Sequence, residues 1–291
     1  MSLRQSHFVP PVSYLLAAEL GFLRGAEVVP TRTPSSAEQL RALLAGEQDM
    51  VVTAIDNLFE WTRAGADLRL VAQVEATTPL GIHARGGADS LTDLAGCRFA
   101  VDAPDNGFAL IAKRLLRDTG VEVDYVVVGG VRERLDALLD GRVDATLLGP
   151  PFDKFAEEAG FARVVDVHAL LPDLPGQGLV VRAEVLESEE LKIYLRALVA
   201  GVVAGESMAE TQGIELLERC GYQAAAASAW DSRARTLAVN RHGLQLLTEI
   251  RRSLDMLPPG IGLEELCDAR PLLSATRSAA AGDLSVKAEL P

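Results

Sequence analysis

Apolar residues recur at helical spacing in two segments that lie 95 residues apart. In Glu38–Leu44 and again in Glu133–Leu139, leucines follow the i, i+3, i+4 pattern of a helix that packs on one face. A glycine follows each segment, Gly46 or Gly141, and glycine accommodates the left-handed backbone that ends many helices. The pattern predicts two amphipathic helices with the same C-terminal stop.

These helices belong to a longer repeat. The order of charged and apolar residues from Glu38 to Asp49 returns without a gap from Glu133 to Asp144, which chance does not explain. Short β-rich runs flank both helices, and strands that alternate with helices predict parallel sheets with right-handed crossovers. We therefore expect an α/β protein of two Rossmann-like lobes with a hinge and an interlobe cleft. The runs predicted as strands are Ala26–Val29, Met50–Thr53, Phe99–Val101, Tyr125–Val128 and Ala145–Leu148.

Two crossings between the lobes predict the hinge. Leu68–Val74 and Leu80–Ala84 are placed to carry the chain out of lobe one, and Gly178–Arg182 to bring it back. The mostly helical sequence after Ser188 is assigned to lobe one, and the Ala-rich end, roughly Ala279–Pro291, to a loose tail. The predicted division is 1–82 plus 180–291 for lobe one and 83–179 for lobe two.

Composition excludes several classes of protein. Hydrophobic residues make up 48% and charged residues 24% of the 291, values typical of a globular chain. The 28 basic and 41 acidic residues give a net charge of −13, which repels nucleic acid and anionic lipid. The most apolar early run, Tyr14–Leu23, contains Glu19 and is too short to cross a bilayer. We expect no nucleic-acid partner and no membrane-spanning segment.

Neither a metal site nor a cofactor is predicted. Cys97, Cys220 and Cys267 are widely spaced and form no CxxC pair, so we interpret them as small buried hydrophobic residues. The sequence contains none of the motifs of zinc proteases, serine hydrolases or nucleotide-binding loops. We therefore assign no catalytic residue.

Five segments form motifs that can be compared with known families: Glu38–Asp49, Ser90–Val101, Leu135–Ala145, Leu254–Ile261 and Leu263–Leu266. On these motifs the chain resembles the type II periplasmic-binding-protein superfamily. Within it, the chain is most similar to the NMT1/THI5-like group of sulfonate, taurine, nitrate and pyrimidine-precursor binders. The resemblance spans most of residues 7–270, and it specifies the fold better than the ligand.

The resemblance implies a solute-binding protein that captures a small polar organic ligand between its lobes and delivers it to the permease of an ABC importer. The implied ligand is sulfonate-, pyrimidine- or aromatic-acid-like, and the implied protein is a monomer in the periplasm or anchored outside the membrane. The first residues, Met1–His7, lack the regions of an export signal, so this location requires a leader that has been removed. Otherwise we expect a cytoplasmic protein.

A cytoplasmic enzyme on the same scaffold is the alternative, because the group also resembles desulfinases, some decarboxylases and thiamine-precursor enzymes. Such an enzyme needs an acid–base group in the first turn, where His7 stands, with Glu75 or Asp56 as its partner. The cysteine that sulfinate-cleaving relatives use near this turn corresponds to Phe8 here, which weighs against the same chemistry.

Ligand contacts are expected at the strand-to-helix turns that face the cleft. Free backbone N–H groups and the positive end of a helix bind polar or anionic groups at such turns. The predicted ligand-binding residues are His7, Phe8, Pro10, Thr33, Ser35, Ser36, Asp56, Asn57, Thr77, Thr78, Asp105, Asn106, Phe108, Gly130, Gly149 and Phe152.

Several of these residues also have a purely structural interpretation. Thr33, Ser35 and Ser36 either contact ligand or only cap a helix. Asp105 either caps its helix or faces the cleft, where it opposes an anion and favours a ligand with amine or amidine donors. The aromatic residues near the turns either stack on a flat ligand or belong to the core.

Overall fold

The computed structural model of the chain describes residues 2–105 and 107–280. The predicted contact Asn106 and nearly all of the predicted tail, Ala279–Pro291, lie outside these residues. In the described part, ten strands form two five-stranded sheets, in the orders β2-β1-β3-β10-β4 and β7-β6-β8-β5-β9. The strands are β1 Leu3–His7, β2 Val28–Arg32, β3 Met50–Ala54, β4 Leu68–Gln73, β5 Gly81–Ala84, β6 Arg98–Val101, β7 Asp124–Val127, β8 Ala145–Leu148, β9 Ala162–Asp166 and β10 Gln177–Arg182.

Helices cover both sheets, as expected for parallel strands joined by crossovers. Those in the described residues are α1 Val12–Glu19, α2 Ser36–Leu44, α3 Asn57–Arg63, α4 Ala109–Asp118, α5 Val131–Leu139, α6 Phe152–Glu158, α7 Val167–Leu170, α8 Glu189–Ser207, α9 Glu210–Leu217, α10 Ala226–Asp231, α11 Arg241–Ser253 and α12 Arg270–Ala280. The predicted α/β class with two Rossmann-like lobes is confirmed.

The sequence repeat is a structural repeat. Strands β1, β2 and β3 are parallel in the order 2-1-3, and β6, β7 and β8 are parallel in the matching order 7-6-8. The helices α2 and α5 are offset by the predicted 95 residues. Gly46 and Gly141 follow them with φ of 68° and 73°, which confirms the predicted helix stops.

One ion pair also occurs in both halves. Arg4 Nε and Nη2 donate to the Asp49 carboxylate at 2.9 and 2.6 Å, and Arg98 Nε and Nη2 donate to Asp144 at 2.9 and 2.7 Å. The Arg98 hydrogen bonds lower the pKa of Asp144 to about 2. These aspartates precede β3 and β8 and tie each strand to the first strand of its own repeat, β1 or β6. Their role is structural, as the sequence pattern indicates.

The chain crosses between the sheets twice. It leaves sheet one after β4, enters sheet two with β5, and returns from β9 to β10. Both β5 and β10 run antiparallel to their neighbours. Each lies between two strands of the sheet that it enters, β5 between β8 and β9 and β10 between β3 and β4. The predicted lobe boundaries, after residues 82 and 179, fall within these two strands.

The C-terminal helices pack mainly on the first sheet. Helix α8 contacts α1, and α12 contacts α8 and β4, whereas α11 also contacts α4 beside the second sheet. One hydrophobic cluster accordingly includes Leu70 of β4, Leu110 of α4 and Leu247 of α11. Helix α11 therefore links the two lobes and helps to set their relative position.

Candidate ligand-binding cleft

A cavity that is partly open to solvent lies where the carboxyl ends of the parallel strands in both sheets meet, and its empty space, open solvent included, is about 1060 Å³. Parallel α/β sheets bind ligands at this edge, because the turns that follow the strands converge there. Most of the exposed surface of the wall is apolar, although several polar and charged side chains also line it. Among the residues that form it are Phe8, Val9, Ala54 and Asn57 beside sheet one, Val101, Asp102, Phe108, Arg134 and Gly149 beside sheet two, the crossing segment Val74–Leu80, and Gln177, Tyr222 and Arg233.

Six of the predicted contacts line this cavity: Phe8, Asn57, Thr77, Thr78, Phe108 and Gly149. Nine others lie in the surrounding turns or beneath them, outside the lining: His7, Pro10, Thr33, Ser35, Ser36, Asp56, Asp105, Gly130 and Phe152. At least one residue of the second set supports a lining residue. The hydroxyl of Tyr222, which lines the cavity, donates a hydrogen bond to the Pro10 carbonyl at 3.0 Å.

In the turn before α2, the hydroxyl groups of Thr33 and Ser35 form hydrogen bonds with the protein backbone. Ser35 caps the helix by accepting a hydrogen bond from the Glu38 backbone N–H at 3.1 Å, and Thr33 Oγ1 donates to the Ser35 carbonyl at 2.8 Å. The backbone N–H of Ser36 donates to the Asp102 carboxylate, with distances of 3.0 and 3.2 Å to its two oxygens. A carboxylate from sheet two therefore stands at the positive end of a helix on sheet one.

The turn before α4 is held by a buried ion pair. Asp56 Oδ2 accepts a hydrogen bond from the Gly107 backbone N–H at 2.9 Å, and the Arg251 guanidinium donates to both oxygens of the same carboxylate. Arg251 Nη2 also donates to the Asp105 carbonyl at 3.0 Å. The Asp105 side chain is exposed and lies 3.6 Å from Lys113 Nζ. This network joins both lobes at one side of the cleft.

Contacts between the turns close another side. The backbone N–H of Gly130 donates to the Pro34 carbonyl at 2.6 Å, and Arg32 Nη2 pairs with Glu133 Oε1 at 2.7 Å. A Cβ on Gly130 would lie 2.8 Å from Cδ1 of Phe8, so the phenyl ring packs on this glycine because it has no side chain. The lobes are therefore in contact in the described conformation, with the cavity between them.

Two predicted contacts are buried beside the cavity. His7 is 6% exposed, and burial lowers its pKa to about 4, so its imidazole is neutral at pH 7. Its Nδ1 has no hydrogen-bond partner in the described residues. Phe152 belongs to the core of sheet two, where its ring meets Phe155 edge-on at 6.0 Å. For Phe152 the structure supports the core interpretation of the aromatic residues.

Glu75 is a lining residue that we considered only as an acid–base partner of His7. Its Oε1 accepts from Gln177 Nε2 at 2.9 Å, and its Oε2 accepts from Thr78 Oγ1 at 2.8 Å. Burial raises the pKa of its carboxyl. The sequence carries a usable signal, because Glu75 is the first charged residue after the apolar run that ends at Val74, at the carboxyl end of a strand.

Two lining arginines and Asp102 were also missing from the predicted contacts. Arg134 Nη1 and Nη2 donate to the carbonyls of Gly129 and Leu147 at 3.1 and 3.2 Å. Arg233 stacks on Trp230 at 3.9 Å and pairs with Glu206 Oε1 at 3.0 Å. Both arginines lie on helices or turns whose sequence looks like an ordinary charged surface, so only the tertiary structure brings them to the cavity.

The remaining chemistry of the described residues is sparse. No group of three or more His, Cys, Asp or Glu side chains in the described ranges is arranged to hold a metal ion. No helix there is both long and apolar enough to cross a membrane. Cys97, Cys220 and Cys267 are half-buried, unpaired and absent from the cavity lining.

Solved structures show what this fold is similar to. The ligand-binding component of an ABC-type import system from Staphylococcus aureus, with zinc bound, superposes with a TM-score of 0.78 at 14% identity, covering 95% of this chain and 100% of that one. The alkanesulfonate-binding protein SsuA from Xanthomonas axonopodis pv. citri, bound to MOPS, gives 0.75 at 17% identity, covering 92% and 98%. The desulfurization enzyme DSZB gives 0.67 at 15% identity, covering 96% and 99%.

Sequence comparison identifies the family. No curated protein matches the sequence significantly. The model of the NMT1/THI5-like family matches residues 12–204, about two thirds of the chain, which include both copies of the repeat. With two lobes of the periplasmic-binding-protein type around a closed cleft, the chain belongs to the NMT1/THI5-like family.

Proposed function

We propose that this protein is a solute-binding protein of an ABC importer and that it captures a small organic ligand between its two lobes. The observation that carries the proposal is the mostly apolar cavity between the two lobes, at the carboxyl ends of the parallel strands of both sheets. Such a cavity buries most of a small ligand, while a few fixed polar groups determine its orientation. One protein with the same fold is the ligand-binding component of an ABC-type import system, and another is an alkanesulfonate-binding protein.

Closure is the second element of the proposal. The contacts between turns described above hold the lobes together, and a ligand shifts the open–closed equilibrium only as far as it binds the closed state better. Sulfonates, pyrimidines and aromatic acids form the first panel to be tested, since these are the classes implied by the family resemblance. The permease of the importer and an extracytoplasmic location follow as further parts of the proposal.

The test combines stability and shape. A ligand present at 100 times its Kd raises the free energy of unfolding by about 2.7 kcal/mol, which a thermal-shift screen detects readily. Small-angle X-ray scattering then measures whether each stabilising compound makes the protein more compact. If no compound of a broad panel produces both effects, the proposal is wrong.

A matched pair of variants locates the binding. Phe8 lines the cavity, whereas Phe22 is an exposed phenylalanine in the turn between α1 and β2. Phe8→Ala should weaken the binding of a confirmed ligand about tenfold, because an apolar contact is lost. Phe22→Ala should leave the affinity unchanged. Cell fractionation of the native gene product tests the location.

A further inference from the structure

The cavity contains a carboxylate, that of Glu75, that no positively charged side chain of the described residues neutralises. Glu75 is in no ion pair among the described residues, and its carboxylate is held by two neutral donors, Thr78 and Gln177. Tyr222, which also faces it, donates its hydroxyl to the Pro10 carbonyl instead. Arg233 forms only a backbone bridge with Glu75. A half-buried carboxylate that is held only by neutral donors is stabilised by a cation that enters from outside.

Asn57 provides a second acceptor in the same wall. Its Nδ2 donates to Thr53 Oγ1 at 2.7 Å. Its Oδ1 is buried and has no hydrogen-bond partner in the described residues. Because an unsatisfied buried carbonyl is costly, this atom favours a ligand that brings an N–H or O–H donor.

Three of the backbone donors on which an anion would rely are already used. The backbone N–H of Ser36 at the start of α2 donates to Asp102, that of Gly107 donates to Asp56, and that of Gly130 donates to the Pro34 carbonyl. These are turns of the type that bind anions in parallel α/β proteins. Protein carboxylates occupy two of the three, so an anionic group would meet negative charge there.

The two lining guanidinium groups are engaged as well. Arg134 donates to two backbone carbonyls, and the nearby carboxylates of Asp102 and Glu133 offset its charge. Arg233 is paired with Glu206. Of the four charged residues that line the cavity, Glu75 is the one that has no oppositely charged neighbour among the described residues.

We propose that the bound solute is a cation, a protonated amine or amidine on an apolar or aromatic body, with Glu75 as its counter-ion and Asn57 Oδ1 as a further acceptor. The inference rests on the proposed solute-binding function and specifies the class of solute. Phe8 and Phe108 supply apolar faces for the body of the ligand. Desolvation disfavours the charged form of Glu75, and a cation bound beside the carboxylate favours that form.

Three compounds of nearly the same shape isolate the charge. Benzamidine is a cation with N–H donors, benzamide is neutral, and benzoate is an anion. We expect benzamidine to raise the melting temperature most, benzamide less, and benzoate least, with the same order of affinity in isothermal titration calorimetry. Charge-assisted hydrogen bonds are about twice as strong as neutral ones, which corresponds to at least a tenfold preference for benzamidine over benzamide.

Glu75→Gln removes the charge but can still accept from Gln177, so the cavity keeps its shape. This variant should bind benzamidine about tenfold more weakly than the wild type and should bind benzamide almost unchanged. Glu215→Gln makes the same chemical change at an exposed position and should bind both compounds as the wild type does. The wild-type series gives an answer even if the Glu75 variant is poorly folded.

The outcomes separate this inference from the proposed function. If benzoate or another anion binds more tightly than benzamidine and makes the protein more compact, the solute-binding function stands and the cationic class is wrong. Equal binding of benzamidine to the wild type and to Glu75→Gln also overturns the role of Glu75. If no compound of the broad panel is bound, the proposed function itself falls.

Discussion

The Arg251 guanidinium donates two hydrogen bonds of 2.8 Å to the Asp56 carboxylate, from Nε to Oδ1 and from Nη2 to Oδ2. The two residues are separated by 195 positions, and both side chains are almost completely buried. Asp56 precedes α3 in lobe one. Arg251 lies in the last turn of α11, and this helix also contacts α4 of the other lobe. Through the Gly107 N–H, the same carboxylate holds the turn before α4. This pair therefore links three parts of the fold beside the cavity.

Removal of one partner should be strongly destabilising. Arg251→Met leaves the Asp56 carboxylate buried without its cation, and breaking such a pair costs about 3–5 kcal/mol. Urea denaturation measures the loss of unfolding free energy. Arg41→Met removes an exposed arginine that pairs with Glu38 and Glu47 at the surface, and its effect should be small. Similar losses of unfolding free energy in the two variants would show that the buried pair of Arg251 and Asp56 contributes no more to stability than an exposed ion pair.

The Asp102 carboxylate should keep anions away from the start of α2. Asp102→Ala frees the Ser36 N–H and leaves Arg134 without one of the charges that offset it. We therefore expect sulfate to raise the melting temperature of this variant more than that of the wild type, at constant ionic strength set with chloride.

Asp140→Ala is the matched control, because it changes the net charge equally at an exposed position away from the cavity. Its response to sulfate should follow that of the wild type. If the Asp102 and Asp140 variants respond alike, the effect is one of net charge, and the specific role of Asp102 is refuted.

Glu75 should give the protein a measurable pH dependence. Burial raises the pKa of its carboxyl above the ordinary value of 4.5, so the native state keeps this proton to higher pH than the unfolded chain does. The contribution of Glu75 to the free energy of unfolding therefore falls as the pH rises from 4.5 through the raised pKa. In Glu75→Gln this loss is absent.

The comparison between variants isolates this group from the others that titrate. Urea denaturation of the ligand-free protein between about pH 4 and pH 8 should show Glu75→Gln gaining stability relative to the wild type as the pH rises. Glu215→Gln should show no such trend, because Glu215 is exposed. Parallel curves for the wild type and Glu75→Gln would contradict the shifted pKa.

A glycine permits the close approach of α8 and α1. A Cβ on Gly201 would lie 2.9 Å from both the Ala17 nitrogen and the Ser13 carbonyl oxygen, which are backbone atoms and cannot move aside easily. Gly201→Ala should cost about 1–3 kcal/mol of unfolding free energy, as overpacking of a core typically does. Gly86→Ala, where nothing lies within 4 Å of the added Cβ, should have little effect. Equal melting temperatures of the two variants would show that α8 and α1 can move apart to accommodate the added Cβ without a loss of stability.

Much of the fold follows from the sequence, because it is encoded in local patterns. The spacing of leucines in α2 and α5, the glycines after them and the aspartates before β3 and β8 act within one repeat. The same patterns place the turns at the carboxyl ends of the strands, where Phe8 and Gly149 line the cavity. The sequence alone thus determined two similar α/β lobes and the edge at which a ligand is expected.

The chemistry of the cleft was decided by the tertiary structure. Asp102 reaches Ser36 across the cleft, Arg251 comes from a distant helix, and Glu75 lies between Thr78 and Gln177 of the two crossing segments. No periodicity encodes such contacts, because they depend on the angle between the lobes, which the crossings and the C-terminal helices set together. Local sequence specifies the hydrogen-bonding groups each turn presents, but only the packing of whole lobes determines which of them remain free for a solute.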